Sequence, residues 1–222
     1  MGEAIGGMLS SAVGVAISPL PIILLVLLLA TPRGRADGIA FAAGWVVSLA
    51  VVSTLIVVFG GGERTGGGAP ATWTYYLKLA IGVLFLLLAV KQWRGRPRPG
   101  HEPKQPGWMA TVDSFTPVKA AGTAVALAVV SPKNLPLTIG AAVSIASSDA
   151  GGAGQAVAVT LFVVLASACV LVPLGVYLLG GDKASATLDG WKTWMAAHNN
   201  AIMATIFLVL GVKSIGEAIA GL

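Results

Sequence analysis

The chain has 222 residues, 56% of them hydrophobic and only 10% charged, with a formal net charge of +5 and a mean hydropathy of +0.86. A water-soluble domain carries about 25% charged residues, so this composition excludes a solvated globular surface and places the chain in lipid. There only helices or closed barrels satisfy the backbone, and the long, continuous apolar runs differ from the roughly ten-residue alternating segments of a barrel.

An all-α integral membrane protein is therefore expected. Six segments reach the roughly 20 apolar residues that cross a bilayer core, at about 4–30, 37–59, 72–93, 115–147, 153–180 and 193–219. Met1-Gly2-Glu3-Ala4 lacks the basic region of a signal peptide, so the first span is expected to be retained as a helix. Within it, Ser18-Pro19-Leu20-Pro21 should interrupt the helix, because proline has no amide proton and its ring clashes with the carbonyl four residues back. Gly60-Gly61-Gly62 and Gly66-Gly67-Gly68 mark a turn after the second span. Residues 94–114 are a Pro-rich, basic linker (Pro97, Pro99, Pro103, Pro106), too polar to pack a core. It separates a first three-span unit, 1–93, from a second, 115–222. The fourth span carries a second interruption, Ser131-Pro132-Lys133-Asn134-Leu135-Pro136.

Basic residues collect after spans one, three and five: Arg33, Arg35, Lys91, Arg94, Arg96, Arg98, Lys104, Lys119, Lys183 and Lys192. The opposite side holds Arg64, with Lys78 and Lys213 near helix ends. The positive-inside rule then places the linker in the cytoplasm and both termini outside an inner membrane. Trp73, Tyr75 and Tyr76 agree at one interface, and Trp93, Tyr177, Trp191 and Trp194 at the other. Trp45 lies too far inside span two to anchor at a headgroup and should pack between helices. The excess of basic charge thus reports topology and not nucleic-acid binding.

The halves repeat one another. Ala12-Val-Gly14-Val-Ala-Ile-Ser18-Pro19 resembles Val125-Ala-Leu127-Ala-Val-Val-Ser131-Pro132, and Phe85-Leu-Leu-Leu-Ala-Val-Lys91 resembles Phe207-Leu-Val-Leu-Gly-Val-Lys213. An odd number of spans per half makes the second half enter from the opposite side. This is an inverted-topology repeat, the plan of many secondary transporters, in which paired interruptions point to the binding site.

The candidate substrate-binding residues are accordingly Ser18, Pro19, Pro21, Ser131, Pro132, Lys133, Asn134 and Pro136. A cation at the bilayer centre costs at least about 2.5–3.5 kcal/mol and calls for a partner. No Asp or Glu lies as deep as Lys133, which leaves either carbonyls freed by the breaks or an anionic substrate group. Half-helix starts carry partial positive charge, so an anionic or zwitterionic head group is expected between the breaks, with Ser18, Ser131 and Asn134 as hydrogen-bond donors. His101 and His198 lack the companions a metal site requires. Cys169 reads as a small buried hydrophobe, and Gly14, Gly82, Gly175 and Gly211 as points of close helix contact. Asn199 and Asn200 read as helix-to-helix hydrogen bonders. Neither a metal nor a cofactor is expected.

The paired motifs resemble the lysine-exporter superfamily, with Ser131 where that group often has Asn before Pro-Lys. Ser18-Pro-Leu-Pro-Ile22, Gly44-Trp45 and Ser131-Pro-Lys-Asn-Leu135 are similar to its actinobacterial branch named for sulfolipid and glycopeptidolipid delivery to the cell surface. The resemblance implies movement of a cell-envelope glycolipid or similar amphiphile across the inner membrane, with membrane lipids and a lipid-export partner or second copy as partners. Two alternatives stand beside it: an exporter of small polar solutes such as amino acids, which needs a closed polar cavity, and a non-transporting scaffold. A thiol redox carrier needs paired cysteines, and Cys169 is alone. Without a nucleophile beside a base or a phosphate-binding glycine loop, the chain reads as a non-enzyme with no direct ATP drive. Glu3 and Glu217 are the remaining, peripheral carboxylates for proton coupling.

Overall fold

The computed structural model describes residues 2–60, 72–96, 112 and 114–219. Arg64, most of the 94–114 linker with His101 and Trp108, and the second glycine cluster lie outside them, as do the side chains of Glu3, Trp73, Tyr75, Lys78 and Glu217. The described residues are helical, without strands: α1 Gly2–Ala16, α2 Pro19–Leu29, α3 Gly34–Gly60, α4 Thr72–Arg94, α5 Pro117–Val129, α6 Asn134–Ala146, α7 Gly151–Ala166, α8 Ala168–Leu179 and α9 Ala184–Ile219. By length and composition, α3 and α9 can each cross a membrane, and three bent pairs can do so as broken spans, up to five in all. The chain is a helical membrane protein.

Two of the bends fall where the prolines place them. α1 and α2 meet at 49°, α5 and α6 at 66°. Proline at the first turn of α2 (Pro19) and of α5 (Pro117) fits a position whose amide is unpaired in any helix. The third bend, 61° between α7 and α8, corrects the expectation of one continuous helix over 153–180. Pro173 lies inside α8, six residues past the bend, and the carbonyl it leaves unserved is that of Cys169, so the bend at Ser167 has no proline of its own. The chain turns at Gly151 and Gly181, whose φ of 62° and 54° suit glycine.

The residues form two compact units. The first lies within Met1–Thr65 and Gln105–Lys192. Here α3 packs along α5 and α6, and α1 packs against α6 and α7. Its core is built on Trp45, Phe41, Phe162, Met8 and Leu49; Trp45 is fully buried, as expected from its depth. α3 and α5 approach so closely that a Cβ on Gly44 would lie 2.6 Å from the Ala121 carbonyl oxygen.

The second unit lies within Gly66–Lys104 and Thr193–Leu222. Phe85 of α4 stacks on Phe207 of α9 with ring centroids 5.7 Å apart, so the two matched repeat positions meet. Gly82 and Gly211 are in close contact, and a Cβ on Gly211 would lie 2.8 Å from Leu86 Cδ2 and 3.0 Å from the Gly82 oxygen. Gly175, by contrast, has nothing within 4 Å and makes no close helix contact. Asn200 Nδ2 donates to the Gly95 carbonyl. Trp93 is exposed, with the Arg96 guanidinium 4.0 Å over its ring. Gly211→Val should lower the thermal midpoint of the solubilised protein clearly more than Gly216→Val, where a new Cβ meets nothing. Equal midpoints would show that the close approach has no energetic role.

Candidate functional site at the paired breaks

The breaks create a local shortage of donors. Pro19 cannot serve the Val15 carbonyl four residues back, and Pro21 cannot serve that of Ile17. The helix also ends at Ala16, two residues short of Ser18, whose amide would otherwise pair with Gly14. Buried carbonyls left in this way cost about 1–3 kcal/mol each. Side chains fill the gap. Ser18 Oγ donates to the Val15 oxygen at 2.6 Å, and Asn134 Oδ1 lies 3.2 Å from the same hydroxyl.

Lys133 supplies the rest. Its Nζ donates to the Gly14 oxygen, the Ile17 oxygen and Ser18 Oγ, each at 2.8 Å. All three ammonium protons are thereby used, and the residue is 2% exposed. Carbonyls freed by the break, one of the two partners open at the sequence level, hold the charge here. The second break is closed similarly. Asn134 Nδ2 donates to the Leu127 oxygen at 3.1 Å, and Leu127 is the repeat counterpart of Gly14. Ser131 Oγ accepts from the amides of Lys133 and Asn134, both at 3.4 Å, capping α6.

The structure therefore gathers Ser18, Lys133 and Asn134 into one buried knot, with Pro19 and Pro21 buried beside it. Ser131 caps the neighbouring helix. Pro132 and Pro136 are exposed and shape the break without joining the knot. The amide supply for an anion is smaller than the half-helix argument implies. Two of the first three residues of α2 are proline, and at α6 the Ser131 hydroxyl already takes two amides.

Several features were not legible beforehand. Two of the three Lys133 acceptors are main-chain oxygens, and which ones, those of Gly14 and Ile17, only the fold decides. Cys169 is buried, as the sequence suggests, and its thiol donates to the Ala166 oxygen at 3.5 Å. Asp37, in the first turn of α3, is 1% exposed, a burial that its place at the start of the second span does not foretell. Among the described residues Asp37 Oδ1, Trp45 Nε1, Ser53 Oγ, Ser167 Oγ and Asn199 Oδ1 are buried without a hydrogen-bond partner, so the hydrogen bond expected of the Asn199 side-chain oxygen is not made.

An apolar pocket of about 260 Å³ borders the knot, lined by Leu20, Leu24, Phe115, Thr123 and Leu127. Leu20 follows Pro19 directly, and Leu127 carries the carbonyl that Asn134 holds. The buried knot at the two breaks, with this apolar pocket next to it in sequence, is the candidate site of a helical membrane protein. A family model described as Sap, sulfolipid-1-addressing protein, matches residues 8–220. The chain belongs to that family. No curated protein and no solved structure matches it.

Proposed function

We propose that the protein is a secondary transporter or translocation component for a cell-envelope glycolipid or a similar amphiphile, acting in the inner membrane. The observation that carries this reading is the apolar pocket against the polar knot. A small polar solute needs a closed polar cavity, whereas an amphiphile needs an apolar surface beside polar groups; here Leu20 and Leu127 line the pocket and the knot side chains stay buried, so the knot must open to join the two. The description of the family, sulfolipid addressing, points the same way.

The proposed architecture has six spans, with α4, a 23-residue helix, as the third. The two halves are inverted repeats within the wider lysine-exporter plan, with both termini outside and the linker in the cytoplasm. Helix packing in the first unit supports the repeat. α3 on α5 has its counterpart in α7 on α1, and α3 on α6 in α8 on α2, although α5 barely touches α2 where α1 packs along α6. In this reading the knot is the closed state. An anionic head-group oxygen binds an ammonium more strongly than a neutral carbonyl does, so it can displace the Gly14 or Ile17 oxygen from Lys133 and loosen the joint between spans one and four.

Purified full-length protein in liposomes tests this. A lipid labelled at its head group should become accessible to an external quencher faster than in empty vesicles, while trapped amino acids stay inside. A well-expressed Lys133→Ala variant should lose the effect; retained lipid movement in it would remove Lys133 from the substrate path. Movement of neither lipid nor solute by the native chain would overturn translocation in favour of a scaffold.

A further inference from the structure

The C-terminal end of α4 carries positive charge that the fold leaves unused. Lys91, Arg94 and Arg96 fall within six residues of one another, and all three are exposed. Residues 72–96 and 193–216, which build the second unit, contain no Asp or Glu. Asp189, the next acid back along α9, is taken by Lys192 at 2.7 Å. Lys91 and Arg94 lie in the last turn of α4, where a cation also answers the negative end of the helix dipole. Arg96 lies past that turn, where the dipole effect has fallen off, so its placement needs another reason.

The fold holds this end in a set geometry. The Gly95 amide donates to the Lys91 oxygen at 3.0 Å, and the Gly95 carbonyl accepts from Asn200 of α9, so the backbone between the two arginines is tied to the neighbouring helix. The Arg96 guanidinium stands 4.0 Å over the Trp93 ring. Stacking occupies one face of a guanidinium and leaves its in-plane N–H fork free. Among the described residues neither Arg94 nor Arg96 gives a hydrogen bond to the protein. Such forks match the paired oxygens of a phosphate.

The surface leading to this point sets the depth. Val83, Leu87 and Val90 precede Arg94 at spacings of four, three and four, so all four share one face of α4, and the three apolar ones are exposed. From Val83 to Arg94 the helix rises about 16 Å, close to the roughly 15 Å of one leaflet. α4 packs on α9 through Phe85 and Phe207, and α9 is long and apolar enough to cross a membrane. Trp93, half-exposed, has the position of a residue at the headgroup boundary. The arginines therefore lie at headgroup depth, and their charge selects the head group. A zwitterionic lipid brings a cation of its own into the cluster, whereas an anionic one brings only the phosphate.

We propose that the C-terminal end of α4 binds the phosphate of an anionic phospholipid through Arg94 and Arg96, with Trp93 holding the Arg96 guanidinium in place. The site is separate from the knot and does not depend on whether the protein moves lipid.

The test uses full-length protein reconstituted in phosphatidylcholine vesicles with a minor share of phosphatidylglycerol, then extracted in mild detergent, with the retained lipids counted by native mass spectrometry. A basic side chain near the surface favours anionic lipid by about fivefold, so phosphatidylglycerol should be enriched at least that much over its share of the vesicle. Arg94→Gln/Arg96→Gln should bring the ratio close to that of the vesicle. Arg33→Gln/Arg35→Gln removes the same charge from exposed positions of the first unit and should leave the enrichment intact. Trp93→Ala, which keeps every charge, should lower it. Should the double variant fail to fold, Arg96→Gln alone, outside the helix, should still reduce the ratio. No enrichment in the native chain, or equal loss from the two double variants, would overturn the site. Release of the lipid by inorganic phosphate would mark a site for soluble anions and overturn the lipid assignment. Enrichment in a protein that moves no lipid would keep this site and reject translocation, and lipid movement without enrichment would do the reverse.

Discussion

Lys133→Met should destabilise the detergent-solubilised protein by about 1–6 kcal/mol, seen as a lower thermal midpoint by circular dichroism. Two effects oppose each other. The substitution removes three charge-assisted hydrogen bonds worth about 1.5–3 kcal/mol each. It also removes an ammonium whose burial costs about 2.5–3.5 kcal/mol. The hydrogen bonds outweigh the burial because every proton has an acceptor at 2.8 Å, and their loss strands the Gly14 and Ile17 carbonyls between helices. Ser18→Ala should cost less, since it removes one acceptor of Lys133 and the donor to Val15. The double variant should fall short of the sum of the two, because residues in one hydrogen-bond network couple. An unchanged midpoint in Lys133→Met would show that the lysine is not a fastener, and additivity would show that the two side chains act separately.

Gly44→Val should be strongly damaging where α3 packs on α5. Its Cβ would lie 2.6 Å from the Ala121 oxygen and 3.0 Å from the Ala121 Cα, and these are backbone atoms that no rotamer change can move. Overpacking of this kind costs about 1–3 kcal/mol where side chains can adjust, and here whole helices must separate. A sharp fall in folded yield on size-exclusion chromatography is expected. Ala43→Val, on an exposed neighbouring position, should behave as the native chain. Equal yields from the two variants would mean that α3 and α5 are not held at this distance.

The two predictions differ in what made them visible. For Lys133 the sequence already paired an intramembrane cation with freed carbonyls, and left an anionic ligand as the other partner. Gly44 stands out among 29 glycines only through the Gly44-Trp45 resemblance, which says nothing of a close contact. Gly14, Gly82 and Gly211 do sit at close contacts, as their positions in apolar spans suggest, while Gly175 does not. A glycine in a membrane helix permits approach, but only the partner helix determines whether approach happens.

By itself the sequence determined the solvent, the helical class and the position of two breaks. These follow from properties that each residue carries locally: apolar length against bilayer thickness, and a proline nitrogen without a proton. It also placed Lys133 and Asn134 at one break, and the fold brings both to the Ser18 end of the other. Tertiary structure alone decided the rest. The third bend at Ser167 has no proline of its own, since the carbonyl that Pro173 leaves unserved is that of Cys169, inside α8. Asp37 opens the second span in sequence, and only neighbouring helices decide that it is buried. Two of the three Lys133 acceptors are main-chain oxygens, identical in type at every residue, so the ones that become available depend on which helix is broken opposite the lysine. The paired breaks drew attention as a place for a ligand, and the fold first uses them on each other: the side chains of one break supply the donors that the prolines of the other removed.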